Sequence, residues 1–362
     1  MKTRFLAFAT ALALFGVASA ALGAPVAARG HDEDPLTCGA VLTEDARLTD
    51  DLTCPVDGGI TVRADVTIDL DGHRLQGPGS ETESTGILVE DDHTLEVVDG
   101  TISGWGQGIA GIIFEGRPHA DVRRLTFSDN GSGVVGLFSS AIVRSRFEGN
   151  GRGLSVWPGS ATVDRSLFSG NDVGAYIGDA SRLSARRSTF EGNDTGAECS
   201  QSLCDVTRSV LRENGTGLST WFGRGEVRDN TFLENDRGAY LTYESSVVMH
   251  DNTFVRNEVG VEAQVFDNSV VRGNTLRSNG TGFRTSDEEG MPPSYTTIEG
   301  NRFTRNGDGV VIGQPGARIG GNLATWNSGW GIFAEGAEDL GENVVRRNGN
   351  EPQCVGVVCS SR

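Results

Sequence analysis

Residues 230–241 read NTFLENDRGAYL, residues 252–263 read NTFVRNEVGVEA, and residues 301–312 read NRFTRNGDGVVI. Each places an asparagine three residues after an aromatic, with a glycine three residues further on. Carried along the chain, the asparagine recurs eleven times: Asn130, Asn150, Asn171, Asn193, Asn214, Asn235, Asn257, Asn279, Asn306, Asn327 and Asn348. The gaps are 20, 21, 22, 21, 21, 22, 22, 27, 21 and 21 residues. A period of this length marks a repeat architecture in which each unit buries its apolar face against its neighbours.

Positions can be written relative to the marker asparagine. Three before it lies Phe147, Phe168, Phe190, Leu211, Phe232, Phe254, Leu276, Phe303, Ala324 or Val345, and eight before it an aliphatic series runs from Ile142 to Leu340. Four and six after it the residues are small or apolar, the period-2 signature of a strand with one buried face. Each unit therefore reads as about three short strands, with Gly at the turn. Stacked at the strand spacing of about 4.8 Å, like residues form ladders. One ladder is Phe and Leu; another is Asn, whose amides can bond from coil to coil. A second polar ladder, five before the marker, runs Ser145, Ser166, Ser188, Ser209, then Asn230, Asn252, Asn274, Asn301, Asn322 and Asn343. The change from Ser to Asn predicts a change in turn width.

This pattern resembles the right-handed parallel β-helix proteins of the pectate-lyase-like superfamily, over about residues 58–350. Residues 60–77, ITVRADVTIDLDGHRLQG, look like an opening coil. The expected fold is all-β: a single-stranded right-handed parallel β-helix of about thirteen coils of about 21–22 residues. The expected segments are a signal peptide at 1–24, a lead-in at 25–36, an N-terminal cap at 37–57, the β-helix at 58–350 and a C-terminal cap at 351–362. The signal reading rests on Lys2 and Arg4, the apolar run Phe5–Val17 and the small-residue site Ala18-Ser19-Ala20. It implies export from a bacterial cell. No second apolar stretch has membrane length, and a monomer is expected.

Six cysteines fall into close pairs, Cys38/Cys54, Cys199/Cys204 and Cys354/Cys359. Local pairing as disulfides is the simplest of the fifteen arrangements, and two pairs sit where end caps are needed. The formal charge is −18. Removing Lys2 and Arg4 leaves 29 basic against 49 acidic side chains, which argues against nucleic acid.

Most chemical-looking residues are absorbed by the repeat. Asn130, Asn193, Asn214 and Asn279 fit the glycan-acceptor pattern but are marker positions. His73, between Asp69 and Asp71, reads as an Asp-Gly turn, and adjacent His250 and Asp251 are expected to point apart. The acidic N-terminal residues, among them Glu44, Asp45, Asp50, Asp51, Glu90, Asp91 and Asp92, read as a solvated face. Calcium held there is the alternative cofactor reading; otherwise no cofactor or metal is called for.

The outward positions after the marker form one stripe. Five after it come Val135, Ser155, Tyr176, Glu198, Ser219, Tyr240, Glu262, Arg284 and Val311, and six after the next marker comes Phe333. Seven after it come Leu137, Trp157, Gly178, Ser200, Trp221, Thr242, Gln264 and Ser286. Trp157, Tyr176, Glu198, Trp221, Tyr240, Glu262 and Arg284 define a ligand groove suited to a polysaccharide, with rings to stack on and charges to pair. The insertion SDEEGMPPSY, residues 286–295, borders it. Glu198 and Glu262 are three coils apart, roughly 14 Å, too far for a glycosidase pair. Tyr240, Glu262 and Arg284 are the catalytic candidates, as base and charge-neutralising groups for a lyase or epimerase. The DPHE run of the mannuronan epimerases, the calcium-holding Asp cluster of the pectate lyases and the paired Asp of the polygalacturonases are missing, so no catalytic residue carries over. The functional expectation is a secreted β-helix engaging polysaccharide, related to lyases, hydrolases or epimerases; the alternative is a non-catalytic surface or adhesion rod.

Overall fold

The computed structural model describes residues 35–112, 116–285, 292–313 and 315–361. The expected signal segment, most of the lead-in and Ser286 lie outside them. The described chain is a right-handed parallel β-solenoid with no helix. Its front sheet holds fifteen parallel strands, from Val41–Leu42 to Cys354–Val355, hence fourteen turns of chain between first and last. That is one more than the sequence suggests, because both cap segments pair onto the stack.

The front sheet is built from the strands that follow the marker asparagines, such as Arg152–Val156, Val173–Ile177 and Thr216–Trp221. Its inner row keeps strict register, Leu154 on Ala175 and Ala239 on Val261. Short strands such as Leu167–Ser169 and Thr189–Glu191 carry the phenylalanine row. A third wall, with strands such as Ser160–Asp164, carries the aliphatic row, Val163 on Ala185 and Val206 on Val227. Phe168, Phe190 and Phe232 are fully buried on one wall. Rings of Phe127, Phe147, Phe168 and Phe190 stack at 4.6–4.8 Å between centroids. Each buried ring contributes roughly 1.5–3 kcal/mol.

Every marker asparagine follows a residue in the left-handed region, for example Asp129 (φ 55°), Glu213 (φ 56°) and Arg256 (φ 54°). That residue bends the chain from the phenylalanine wall into the front sheet and aims the asparagine inward. Asn214 then donates from its backbone N–H (3.0 Å) and Nδ2 (2.9 Å) to Oδ1 of Asn235 in the next coil, and from Nδ2 to Phe190 O (3.1 Å). The same set repeats from Asn130 to Asn327. All four glycan-acceptor asparagines are 1–3% exposed and belong to this ladder.

The second polar ladder departs from expectation. Its turn keeps one shape, with φ near 51° before both Ser188 and Ser209 and 58° before Asn230. Only the reach changes: Ser188 Oγ donates within its own coil to Arg186 O (2.9 Å), whereas Asn230 Nδ2 reaches Val206 O of the preceding coil (2.8 Å). Nor is the glycine after the marker a turn residue. Gly153 lies in a strand, where a Cβ would meet Gly174 O at 2.5 Å and Phe168 Cδ1 at 2.9 Å. Glycine is there so the front strand can approach both the next coil's carbonyl and the ring. Leu340, expected in the aliphatic row, is exposed because a bulge after Ile319 shifts the register by one residue.

All three local disulfides form, Cys38–Cys54, Cys199–Cys204 and Cys354–Cys359. The asparagine ladder also has a terminator. Gln353 Oε1 accepts from Asn348 N–H (2.9 Å) and Nδ2 (3.1 Å), in place of a twelfth asparagine.

Asn214→Ala should strand the Asn193 N–H and amide in the interior and cost about 3 kcal/mol, read by chemical denaturation. A loss below about 1 kcal/mol would show the ladder to be peripheral.

Candidate functional site

The outward stripe exists as one column. Ser155, Tyr176, Glu198, Ser219, Tyr240, Glu262, Arg284 and Val311 pair successively in register. Trp157 and Trp221 stand exposed beside it, and Tyr176 and Tyr240 are half-buried. Arg152 lies over the Tyr176 ring (4.4 Å) and Arg237 over the Tyr240 ring (5.0 Å). Leu137 does not join the stripe. Its strand ends at Val135, and Gly136 (φ 66°) turns the leucine into the core.

The three catalytic candidates come together, but Glu262 is not a free base. Its side chain is 4% exposed, and Oε2 is held by Arg284 (2.9 Å) and Arg237 (3.2 Å). Oε1 accepts from Gln264, whose own Oε1 accepts from the Tyr240 hydroxyl (2.8 Å). Both carboxylate oxygens are therefore engaged before any ligand arrives. Burial, and then the charge of Glu262, push the Tyr240 phenol above its ordinary value of 10, so it keeps its proton as a hydrogen-bond donor. A cavity of about 360 Å³ opens beside Arg237 and Arg284, rimmed by Asp194, Asp236 and Glu258. Glu198 stands apart, three registers from Glu262.

Sequence reasoning missed an aromatic ridge where the front sheet turns into the third wall. Trp221 meets Phe222 and Tyr243 edge-on, with centroids at 5.1 and 5.8 Å, and Phe266 stacks on Tyr295 at 6.4 Å. Trp221, Tyr243, Phe266 and Tyr295 are 39–43% exposed. Phe222, Tyr243 and Phe266 all adopt φ of 49–57°, which is costly for bulky side chains. Beside Phe222 lies a cavity of about 540 Å³ bounded by Gln201, Leu203 and Arg224. Phe222, Tyr243 and Phe266 fall eight or nine residues after the marker, at a turn of variable length, so a fixed offset hides them. Aromatics recurring at eight to nine were the available signal.

Other groups resolve as structural. Asp45, Asp65 and Asp92 each accept a backbone N–H of the following coil, from Thr67, Thr94 and Arg117 at 2.7–2.8 Å. Part of the acidic N-terminal face thus caps backbone. Among the described residues no three His, Cys, Asp or Glu side chains converge as a metal cage. His73 closes a turn, donating its N–H to Leu70 O (2.7 Å). His250 and Asp251 do not point apart. Asp251 is left-handed (φ 56°), which brings its Oδ2 to 2.8 Å from Nδ1, while Nε2 meets Glu226 at 2.8 Å. The Glu226 and Asp251 bonds raise the His250 pKa, and the bond from His250 lowers that of Glu226. Ser139, His119 and Asp121 also form a hydrogen-bonded chain, 2.6 and 3.1 Å. Ser139 lies in a parallel strand paired on both sides, without the converging N–H donors an acylating serine needs.

The geometry defines a β-helix with an aromatic and ion-paired outer face. The model of the right-handed β-helix region matches residues 110–238 and 152–291, together half of the chain. The chain belongs to that family. Among solved structures it is similar to the periplasmic alginate epimerase AlgG (TM-score 0.53, 13% identity, covering 82% of this chain and 74% of that one). It also matches the A-module of the Azotobacter vinelandii mannuronan C-5 epimerase AlgE6 (TM-score 0.38, 15% identity, 88% and 89% covered). At these identities the likeness shows the fold alone. No curated protein sequence matches significantly.

Two outcomes are expected. Glu262→Gln should lower the Tyr240 pKa, so that the tyrosinate absorbance that Tyr240→Phe removes appears at lower pH. An unmoved titration would put the two groups out of electrostatic contact. His250→Gln should lose more stability at about pH 6 than at about pH 9. The raised folded pKa gives a contribution that is full below the unfolded value of about 6.5 and fades as pH rises through the folded one. Equal losses at both pH values would refute it.

Proposed function

We propose that the protein binds a polysaccharide chain laid along the front sheet, parallel to the solenoid axis. The observation that carries this is the unbroken column of outward side chains, with Trp157, Tyr176, Trp221 and Tyr240 flanking Glu198 and the Glu262 ion-pair cluster. Pyranose rings stack on aromatic faces, and hydroxyl or carboxylate groups pair with Tyr240, Arg237 and Arg284. The aromatic ridge extends the platform around one edge. The shared fold with a protein described as a periplasmic alginate epimerase supports a polysaccharide partner.

The role we assign is binding rather than cleavage. Glu262, the best-placed candidate base, has both oxygens occupied and little contact with solvent. Export is part of the proposal, with residues 1–24 as the removed signal. Three disulfides support an extracytoplasmic site.

A panel of neutral and acidic polysaccharides tests both halves. Retention on at least one polymer is expected, with no new unsaturated or reducing ends. Trp221→Ala should weaken it about 3–10-fold, the worth of one stacking contact. Failure to retain any polymer ends the carbohydrate reading, and newly formed chain ends would reassign the protein as an enzyme.

A further inference from the structure

Asp267 stands where other coils carry a small residue. The backbone bonds of the turn into the third wall align it with Gly159, Ser181, Ser202, Gly223 and Ser245. It is wholly buried. The groups around it are hydroxyls: Ser269 Oγ at 2.7 Å and its N–H at 3.1 Å from the same turn, and the Thr296 hydroxyl from the following coil. Ser294 Oγ bonds Thr296 in turn at 2.6 Å. Two backbone bonds fasten the same following segment to this turn. Tyr295 N–H donates to Asp267 O (2.7 Å), and Phe266 N–H to Pro293 O (2.9 Å). The result is the stacked Phe266–Tyr295 pair at the end of the aromatic ridge.

We propose that Asp267 is a proton-operated fastener: protonated, it holds Pro292–Thr296 and the Phe266–Tyr295 pair on the solenoid, and on ionising it lets that segment open. The physical reason is the missing counter-charge. An ionised carboxyl here keeps its hydroxyl donors but gains no cation among the described residues, and an unpaired buried charge is costly. Burial accordingly pushes this carboxyl up to about 6, with the hydroxyl and amide bonds acting only partly against it. Among the described residues, the ionisable side chains flanking these segments are Glu244, Tyr295 and Arg318, and Arg318 pairs with Glu338 (3.1 Å). None of them adds to the effect of burial. Since the folded value lies above the unfolded one of 3.8, the stability of the fastened state is full below about pH 4 and is lost as pH rises through about 6. The proposed use of the pair rests on the polysaccharide reading; the fastening itself does not.

The test is amide hydrogen exchange, in the full chain and corrected for intrinsic rates, of Tyr295 and of Thr297, whose N–H at the end of the segment donates to Ser269 O (2.9 Å). In the native protein the local opening equilibrium should rise about 100-fold between about pH 4 and about pH 7, two units of proton affinity. In Asp267→Asn, which keeps the shape without the titration, it should stay flat. Asp267→Ser, the residue that preceding coils use, gives the same answer should the Asn variant not fold. A flat native profile, or the same rise in both variants, overturns the fastener. Retention on the polysaccharide panel at the same two pH values decides the use of the pair separately. Stronger retention in acid, lost in Asp267→Ser, supports it. Equal retention alongside a titrating fastener removes the pair from the binding surface.

Discussion

The side-chain amide that passes from one coil to the next is the constraint on which the rest depends. A parallel strand pair fixes spacing, but alone it tolerates slippage. An asparagine whose Oδ1 accepts two donors from the preceding coil, and whose Nδ2 passes the pattern on, allows one register only. The left-handed residue before it has a conformational cost, and the ladder offsets that cost at every turn. Once register is set, the phenylalanine stack, the inner row and the outward column all follow. The surface is thus as ordered as the core, because the same bonds place both.

Charge follows the same logic. The surface is strongly acidic, yet many arginines bridge coil to coil rather than reach into solvent. Arg63 meets Glu90, Arg256 meets Glu234 and Arg182 meets Asp205 one coil away. Exposed pairs of this kind are individually worth little. Their repetition along a fixed axis blunts like-charge repulsion between stacked acidic positions. The Glu262 cluster differs in that its carboxylate is buried beneath two solvent-accessible arginines, and it ties three coils through Arg237 and Arg284.

The period made the fold legible. Asn214 and Phe190 recur at fixed offsets because their partners are their own equivalents one coil away, so the sequence contains both ends of each contact. The outward column was legible for the same reason, although its depth was not. Whether Glu262 is open or covered depends on Gln264 and Arg237, at other offsets. Residues serving a single partner left no periodic trace. Gln353 ends the ladder from outside the repeat, and Asp267 replaces a serine in a row that only the backbone bonds align. The glycines were legible as a row but misleading as to cause, since what they accommodate is the backbone carbonyl of the next coil and, on most coils, the side chain of the adjoining wall.

These facts bear on how such a rod could acquire a ligand site. The inner rows cannot vary much, because each position is matched above and below. Freedom lies at the turn after the front sheet, where the coil length changes by a residue and bulky rings are tolerated at left-handed positions. Phe222, Tyr243 and Phe266 occupy that place on successive coils, and Trp221 joins them to the front-sheet column. Strain that recurs there, beside a concave surface with Gln201 and Arg224, is not tied to aromatic rings by the stacking of the solenoid, because Ala180 (φ 59°) and Gln201 (φ 49°) show that the same left-handed turn also closes without them. The rings are therefore a feature the fold permits without demanding, which is the physical ground for the proposal that they serve recognition.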